Sequence, residues 1–131
     1  KGEDPVAGVP VYLADTLGEM PMWYEMAGSV FIGASLVDLG GHTPYEPALF
    51  GAALLHGPST ANFAEAYGAL RAADATIAVQ DSADVTQVLV HITPEEISRL
   101  AKAAQAVLTP QEDEAQVLAA LHAALPVARS V

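Results

Sequence analysis

Cysteine is absent from the 131 residues. That excludes a disulfide framework, a thiolate zinc site and a cysteine nucleophile. Basic residues are scarce: 5 Lys and Arg stand against 16 Asp and Glu, for a formal net charge of -11. A nucleic-acid binder needs a cationic face to displace counterions from phosphates, so this balance argues against nucleic acid as a partner. It argues equally against docking of this segment on an anionic membrane surface. No apolar run reaches the roughly 18 residues needed to span a bilayer. The first residues as given lack a basic stretch followed by an apolar one, so no secretory signal is expected there. No Gly-x-Ser-x-Gly elbow, Walker loop or Gly-x-Gly-x-x-Gly fingerprint occurs.

What is present is apolar. Hydrophobic residues make up 52% and charged residues 16%, and the mean hydropathy is +0.32. That composition suits a packed core and a chain the size of one domain or a piece of one. Short apolar runs alternate with helical patterns. Val9-Pro10-Val11-Tyr12-Leu13-Ala14 predicts a first strand, Ser29-Val30-Phe31-Ile32 a second, Ala52-Ala53-Leu54-Leu55 a third and Ala75-Thr76-Ile77-Ala78-Val79 a fourth. A short helix is expected over 19–27, with Met20, Met22, Trp23 and Met26 read as core. Another should begin at Pro44, and a third runs over 63–73 with Phe63, Ala66, Tyr67 and Leu70 on one face. Three helices finish the chain, with stripes Val85, Val88, Leu89 and Ile92, then Ile97, Leu100, Ala101, Ala104 and Leu108, then Val117, Leu118, Leu121 and Leu125. Thr93-Pro94-Glu95-Glu96 and Thr109-Pro110-Gln111-Glu112 both fit capping boxes with Pro at the first helical position. Continuous apolar runs suit strands covered on both faces, so the expected fold is α/β with a parallel sheet.

Open parallel sheets bind ligands where the carboxyl ends of their strands turn into helices. Three turns fit that position: Asp15-Thr16-Leu17-Gly18-Glu19; Gly33-Ala34-Ser35 running on to Gly40-Gly41-His42-Thr43-Pro44-Tyr45-Glu46-Pro47; and Gly57-Pro58-Ser59-Thr60-Ala61-Asn62-Phe63. In the second, Thr43 would cap a helix, with Pro44 first and Glu46 completing a capping box. Free amides at that helix start, bared by Gly40 and Gly41, would cradle an anion. The same residues also describe an ordinary capped loop. His42 would donate to a phosphate or brace the loop, and a metal pair with Glu46 lacks a third ligand. Asp15 and Glu19 read as an acid/base pair or as a strand end and helix start. His56, His91 and His122 read as structural. The basic residues Lys1, Arg71, Arg99, Lys102 and Arg129 all lie outside the three turns.

In this order the turns resemble the C-terminal half of a 3-deoxy-D-manno-octulosonate (Kdo) transferase. The residues that carry the likeness are Leu13-Ala14-Asp15-Thr16-Leu17-Gly18-Glu19, Val30-Phe31-Ile32-Gly33-Ala34-Ser35-Leu36-Val37, residues 40–47 and residues 57–63. The resemblance implies two Rossmann-like domains facing a cleft, the GT-B arrangement. Residues 1–131 would then form part of the C-terminal nucleotide-sugar-binding domain, with strands and donor loops in 11–80 and helices in 81–131. It implies CMP-Kdo as donor and a lipid A precursor as acceptor, the acceptor held by an N-terminal half outside this sequence. It implies lipopolysaccharide synthesis at the cytoplasmic face of the inner membrane for the full-length protein, the fragment itself being soluble. No cofactor or metal is implied, and no catalytic residue lies in this stretch.

The donor-binding residues carried over are Gly33, Ser35, Gly40, Gly41, His42, Thr43, Glu46 and Asn62, with Thr16, Gly18 and Glu19 as further candidates. Glu46 matches a glutamate near the donor ribose. Thr43 stands where the family has Asn, Ala34 where it has Gly, and Ser59 where His is frequent. The alternatives are another GT-B nucleotide-sugar transferase or epimerase, and a non-enzymatic Rossmann-like interaction module. In the family two strands lie between the first strand and the Val30 strand. The expectation is therefore an irregular edge, or a homo-oligomer pairing through it. A Val11 strand set directly beside the Val30 strand would contradict the resemblance.

Overall fold

The computed structural model describes residues 8, 10–109, 118 and 121–123. Three parallel strands, β1 (Ser29–Ile32), β2 (Ala53–His56) and β3 (Thr76–Ala78), lie in the order β1-β2-β3. Ser29 pairs with Ala53 and Ile32 with His56, and Leu54 pairs with Thr76. This register places Val30, Ile32, Leu54 and His56 on one face and Phe31, Ala53 and Leu55 on the other. Every residue of the central strand β2 is buried.

The helices among the described residues are α1 (Met20–Met26), α2 (Tyr45–Leu49), α3 (Ala64–Ala72), α4 (Ser82–His91) and α5 (Pro94–Leu108), with one 3₁₀ turn at Ala61–Phe63. The core gathers Ile32 and Leu54 of the sheet, Ala48 of α2, Ala66, Tyr67 and Leu70 of α3, and Ala104 and Leu108 of α5. Helix α5 is the clearest product of its sequence. Thr93 caps it by accepting from the Glu96 amide at 3.2 Å, and Pro94 sits in the first turn. Leu100, Ala101, Ala104 and Leu108 recur at helical spacing and are its buried stripe. Gln105 donates to the Leu49 carbonyl at 2.9 Å and ties α5 to the end of α2.

Three expectations are corrected. Residues 11–16 form no strand, and Val11 and Leu13 are 78% and 79% exposed. A strand needs a neighbour for its amides and carbonyls, and β1, the sheet edge nearest in sequence, is not paired with them. The Val11 segment is thus not set beside the Val30 strand. The methionines are not core: Met20, Met22 and Met26 are exposed, and α1 buries no residue fully. Trp23 instead packs on Tyr12 at 5.1 Å, and Tyr24 stacks on Phe50 at 6.0 Å. Helix α4 likewise buries no residue fully, and Leu89 of its expected stripe is exposed. The last expected helix falls mostly outside the described residues. Of it, Leu118 and Leu121 are helical and exposed. No described helix is long and apolar enough to cross a membrane.

Candidate functional site

Two loops leave the carboxyl ends of β1 and β2, and they are knitted to each other. Ser35 lies fully buried beneath them. Its hydroxyl donates to the Ile32 carbonyl at 2.5 Å and accepts from the Gly57 amide at 2.9 Å, joining the ends of β1 and β2. The Ser59 amide donates to the Ser35 carbonyl at 2.9 Å. The Gly40 amide donates to the Ser59 hydroxyl at 2.9 Å. Asn62 completes the clamp. Its side-chain amide donates to the carbonyls of Leu39 (3.0 Å) and Gly41 (3.2 Å), and its backbone amide to that of Gly40 (3.0 Å).

The paired glycines have a specific use here. Gly40 and Gly41 adopt φ of +81° and +70°, the left-handed region that side chains disfavour. A Cβ on Gly40 would also collide with the Asn62 side chain, and one on Gly41 would sit 2.8 Å from the Ser59 carbonyl oxygen. Gly33 admits the exposed His42 ring, whose Cδ2 would lie 3.3 Å from a Cβ placed there.

The amides of the glycines themselves are committed within the loop. The Gly41 amide donates to Ala34 and the His42 amide to Gly33, at 3.0 and 3.1 Å, and Gly40 is committed to Ser59. Both glycines are buried. The capping box at Thr43 is not formed either. The helix starts one residue later, Pro44 takes the N-cap position, and Thr43 accepts only a 3.4 Å contact from the Tyr45 amide. Among the described residues the amides of Thr43 and Glu46 donate to no loop or side-chain acceptor, and neither do those of Leu36, Val37, Asp38, Thr60 and Ala61 along the loops.

The structure brings Gly33, Ser35, Gly40, Gly41, His42 and Asn62 into one cluster, with Thr43 and Glu46 at its outer end. Glu46 is exposed, and its charge reaches Tyr24: burial first, then the Glu46 carboxylate, pushes that phenol above its usual range. No hydrogen bond, ion pair or ring contact among the described residues links the side chains of Thr16, Gly18 or Glu19 to this cluster. Glu19 serves α1, its carbonyl accepting from the Trp23 amide at 3.2 Å.

A groove of about 510 Å³ opens between the two loops, lined by Leu36, Val37, Asp38, Pro58, Ser59, Thr60 and Ala61. It lies at the strand carboxyl ends, where an open parallel sheet receives its ligand. A second cleft of about 250 Å³, between α2 and α5, is lined by Tyr45, Glu46, Ala48, Leu49, Gln105, Leu108 and Thr109. Among the described residues the charged side chains at these two openings are the carboxylates of Asp38 and Glu46. Arg99 is engaged elsewhere, with Asp74 at 3.3 Å. No group of three or more metal-ligating side chains occurs among the described residues.

Sequence reasoning underrated three residues. Ser59 supplies the acceptor for Gly40, and Tyr67 donates to the His42 carbonyl at 2.9 Å. His56, read as structural and without context, sits 2% exposed beneath the loops with Nδ1 2.6 Å from the Gly57 carbonyl oxygen. Only its place one residue before Gly57-Pro58 signalled this.

No family model matches the chain. It is 34% identical over 85 residues to a 3-deoxy-D-manno-octulosonic acid transferase of Haemophilus influenzae, covering 65% of this chain and 20% of that protein. It is 39% identical over 83 residues to the transferase of the same name from Bordetella pertussis, covering 58% and 19%. The crystal structure of the C-terminal CMP-Kdo binding domain of WaaA from Acinetobacter baumannii superimposes with a TM-score of 0.68 at 31% identity, covering 76% of this chain and 53% of that one. The chain is a relative of the Kdo transferase C-terminal domain. It spans about a fifth of the length of the curated relatives it matches. What marks this Kdo transferase relative is the pair of interlocked loops above β1 and β2, built on a three-stranded parallel sheet with flanking helices.

Proposed function

We propose that residues 1–131 form part of the donor-binding domain of a GT-B Kdo transferase, one that moves Kdo from CMP-Kdo to a lipid A precursor in lipopolysaccharide synthesis. The observation that carries this reading is the likeness, in both sequence and fold, to a domain described as binding CMP-Kdo. The placement of the two interlocked loops at the strand carboxyl ends supports it. In this reading Glu46, exposed at the outer end of the cluster, accepts from the ribose hydroxyls of CMP, the role an acid takes beside a nucleotide-binding sheet. The free amides of Thr43 and Glu46 face the phosphate. Gly33, Ser35, Gly40, Gly41 and Asn62 hold the loop in shape rather than touching the nucleotide.

Transfer is inverting. An acceptor hydroxyl attacks the anomeric carbon of Kdo, the bond from that carbon to the phosphate oxygen breaks, and CMP departs with the electron pair. Charge grows on the phosphate, and donors fixed in advance stabilise it. Among the described residues no cation lines the loop groove or the α2–α5 cleft, whose charged side chains are Asp38 and Glu46. A cationic group and the base that deprotonates the acceptor come from the rest of the enzyme, at the cytoplasmic face of the inner membrane. Alone, the chain binds CMP weakly and transfers no Kdo. Sheet-edge pairing between copies through β1 belongs to the same proposal.

Amide shift mapping with CMP and with UDP tests the reading. CMP should perturb the amides of Thr43, Tyr45 and Glu46 more strongly than UDP does. Equal responses would point to another nucleotide-sugar enzyme, and no response to either nucleotide would leave an interaction module.

A further inference from the structure

We infer that His56 is a positioning residue for the two loops: its uncharged, Nδ1-protonated imidazole holds the carbonyl of Gly57 while the Ser35 hydroxyl holds the amide of the same residue. A carbonyl oxygen only accepts, so the 2.6 Å approach of Nδ1 to the Gly57 carbonyl requires a proton on Nδ1. The Gly57 amide is held by Ser35 at 2.9 Å. Side chains larger than glycine are refused at 57, because a Cβ would run into the Ser35 backbone. From this peptide the chain passes to Ser59, which holds Gly40, and to Asn62, which holds Leu39 and Gly41. The His56 tautomer therefore stands at the head of the contacts that shape the glycine turn.

The second ring nitrogen decides the charge. Nε2 is buried and has no hydrogen-bond partner. As a bare lone pair it loses little there, whereas as N–H⁺ it would place an unpaired charge in the interior. The surroundings favour the neutral ring. Tyr67 of α3 packs on it with ring centroids 4.8 Å apart, and that phenol stays neutral up to about 12. Ile32 and Ala78 flank it from the neighbouring strands. The charged group it feels is Arg71 of α3, a cation that opposes a second positive charge. Burial is the larger influence, and together these hold the imidazole below its ordinary value of 6.5 despite the favourable Gly57 carbonyl. Acid should therefore loosen both loops together as His56 is forced to take a second proton.

That these loops receive a nucleotide rests on the function proposed above; the positioning does not, so the test reads the loops directly. Amide hydrogen exchange is followed from pH 7 downward at Gly40, Gly41 and Gly57, with Leu100 and Ala104 of α5 as internal reference, in the full chain and in two variants. His56→Asn places an amide donor where Nδ1 stood and does not titrate. His56→Leu keeps bulk and removes the donor. The asparagine variant should keep loop protection at pH 7 and lose its acid dependence below 6.5. The leucine variant should exchange at the three glycines about tenfold faster or more, with α5 unchanged. Acid loosening that persists in the asparagine variant, or a leucine variant with undisturbed loops, would overturn the inference. Should the leucine variant unfold throughout, the asparagine arm decides alone. CMP added to the wild-type chain separates the two readings: an exchange pattern as expected without any CMP response retains the positioning role and removes the nucleotide.

Discussion

Tyr67 and His42 are joined across 25 positions of sequence: the buried phenol of α3 donates to the backbone carbonyl of the glycine turn at 2.9 Å. The core helix thereby fixes the height of the loop above the sheet. Tyr67→Phe removes this hydrogen bond and leaves the ring packing intact. The expected cost is about 1 kcal/mol in urea unfolding, with faster amide exchange at Gly41 and His42.

The same phenol sets an alkaline limit. Burial pushes Tyr67 from 10.0 up to about 12. Between those values the unfolded chain releases a proton that the folded chain keeps, so stability falls as pH rises through that window. Thermal melts from pH 9 to 12 should show a loss in the wild type that is smaller in Tyr67→Phe.

Asn62 makes three hydrogen bonds to three successive carbonyls, those of Leu39, Gly40 and Gly41. Asn62→Ala forfeits two of them and should cost about 1–2 kcal/mol. Asn62→Asp should cost more, because a carboxylate would face the carbonyls its amide now satisfies. Chemical denaturation compares the two, and the order alanine milder than aspartate is the decisive result.

Gly41 and Gly18 share a left-handed backbone but not a neighbourhood. At Gly41 a methyl would press on the Ser59 carbonyl, whereas at Gly18 nothing lies within 4 Å. Gly18→Ala should cost about 1 kcal/mol, the conformational penalty alone. Gly41→Ala should cost clearly more, about 2–3 kcal/mol, since backbone must move as well. Equal melting shifts in the two variants would contradict the packing described.

Ala34 occupies φ +58°, a region where a Cβ is strained. Its carbonyl accepts from Gly41, so the conformation is built into the loop. Ala34→Gly should raise stability by about 0.5 kcal/mol, the relief of strain exceeding the added freedom of the unfolded chain. A melting temperature that falls would show that the strain is absent.

The periodicity of apolar residues was enough to place β1, β2 and β3 within a residue or two, and to assign the buried stripes of α3 and α5. Those features depend on neighbours close in the chain, so they can be read locally. The resemblance of the three turns also lay in consecutive residues. Other outcomes were decided only by tertiary structure. Residues 11–14 have strand-like composition, but a strand is a relation to another strand, and β1 does not provide one. The methionines of α1 have core-like chemistry, but burial depends on what packs over them. The same is true of the site. Gly40 and Gly41 read in sequence as an open approach to the helix start, yet both are buried, Ser59 and Ala34 take their amide protons, and Asn62 closes over the turn. A backbone N–H is chemically identical at every position. Which ones remain for a ligand is set by acceptors that folding brings from elsewhere in the chain.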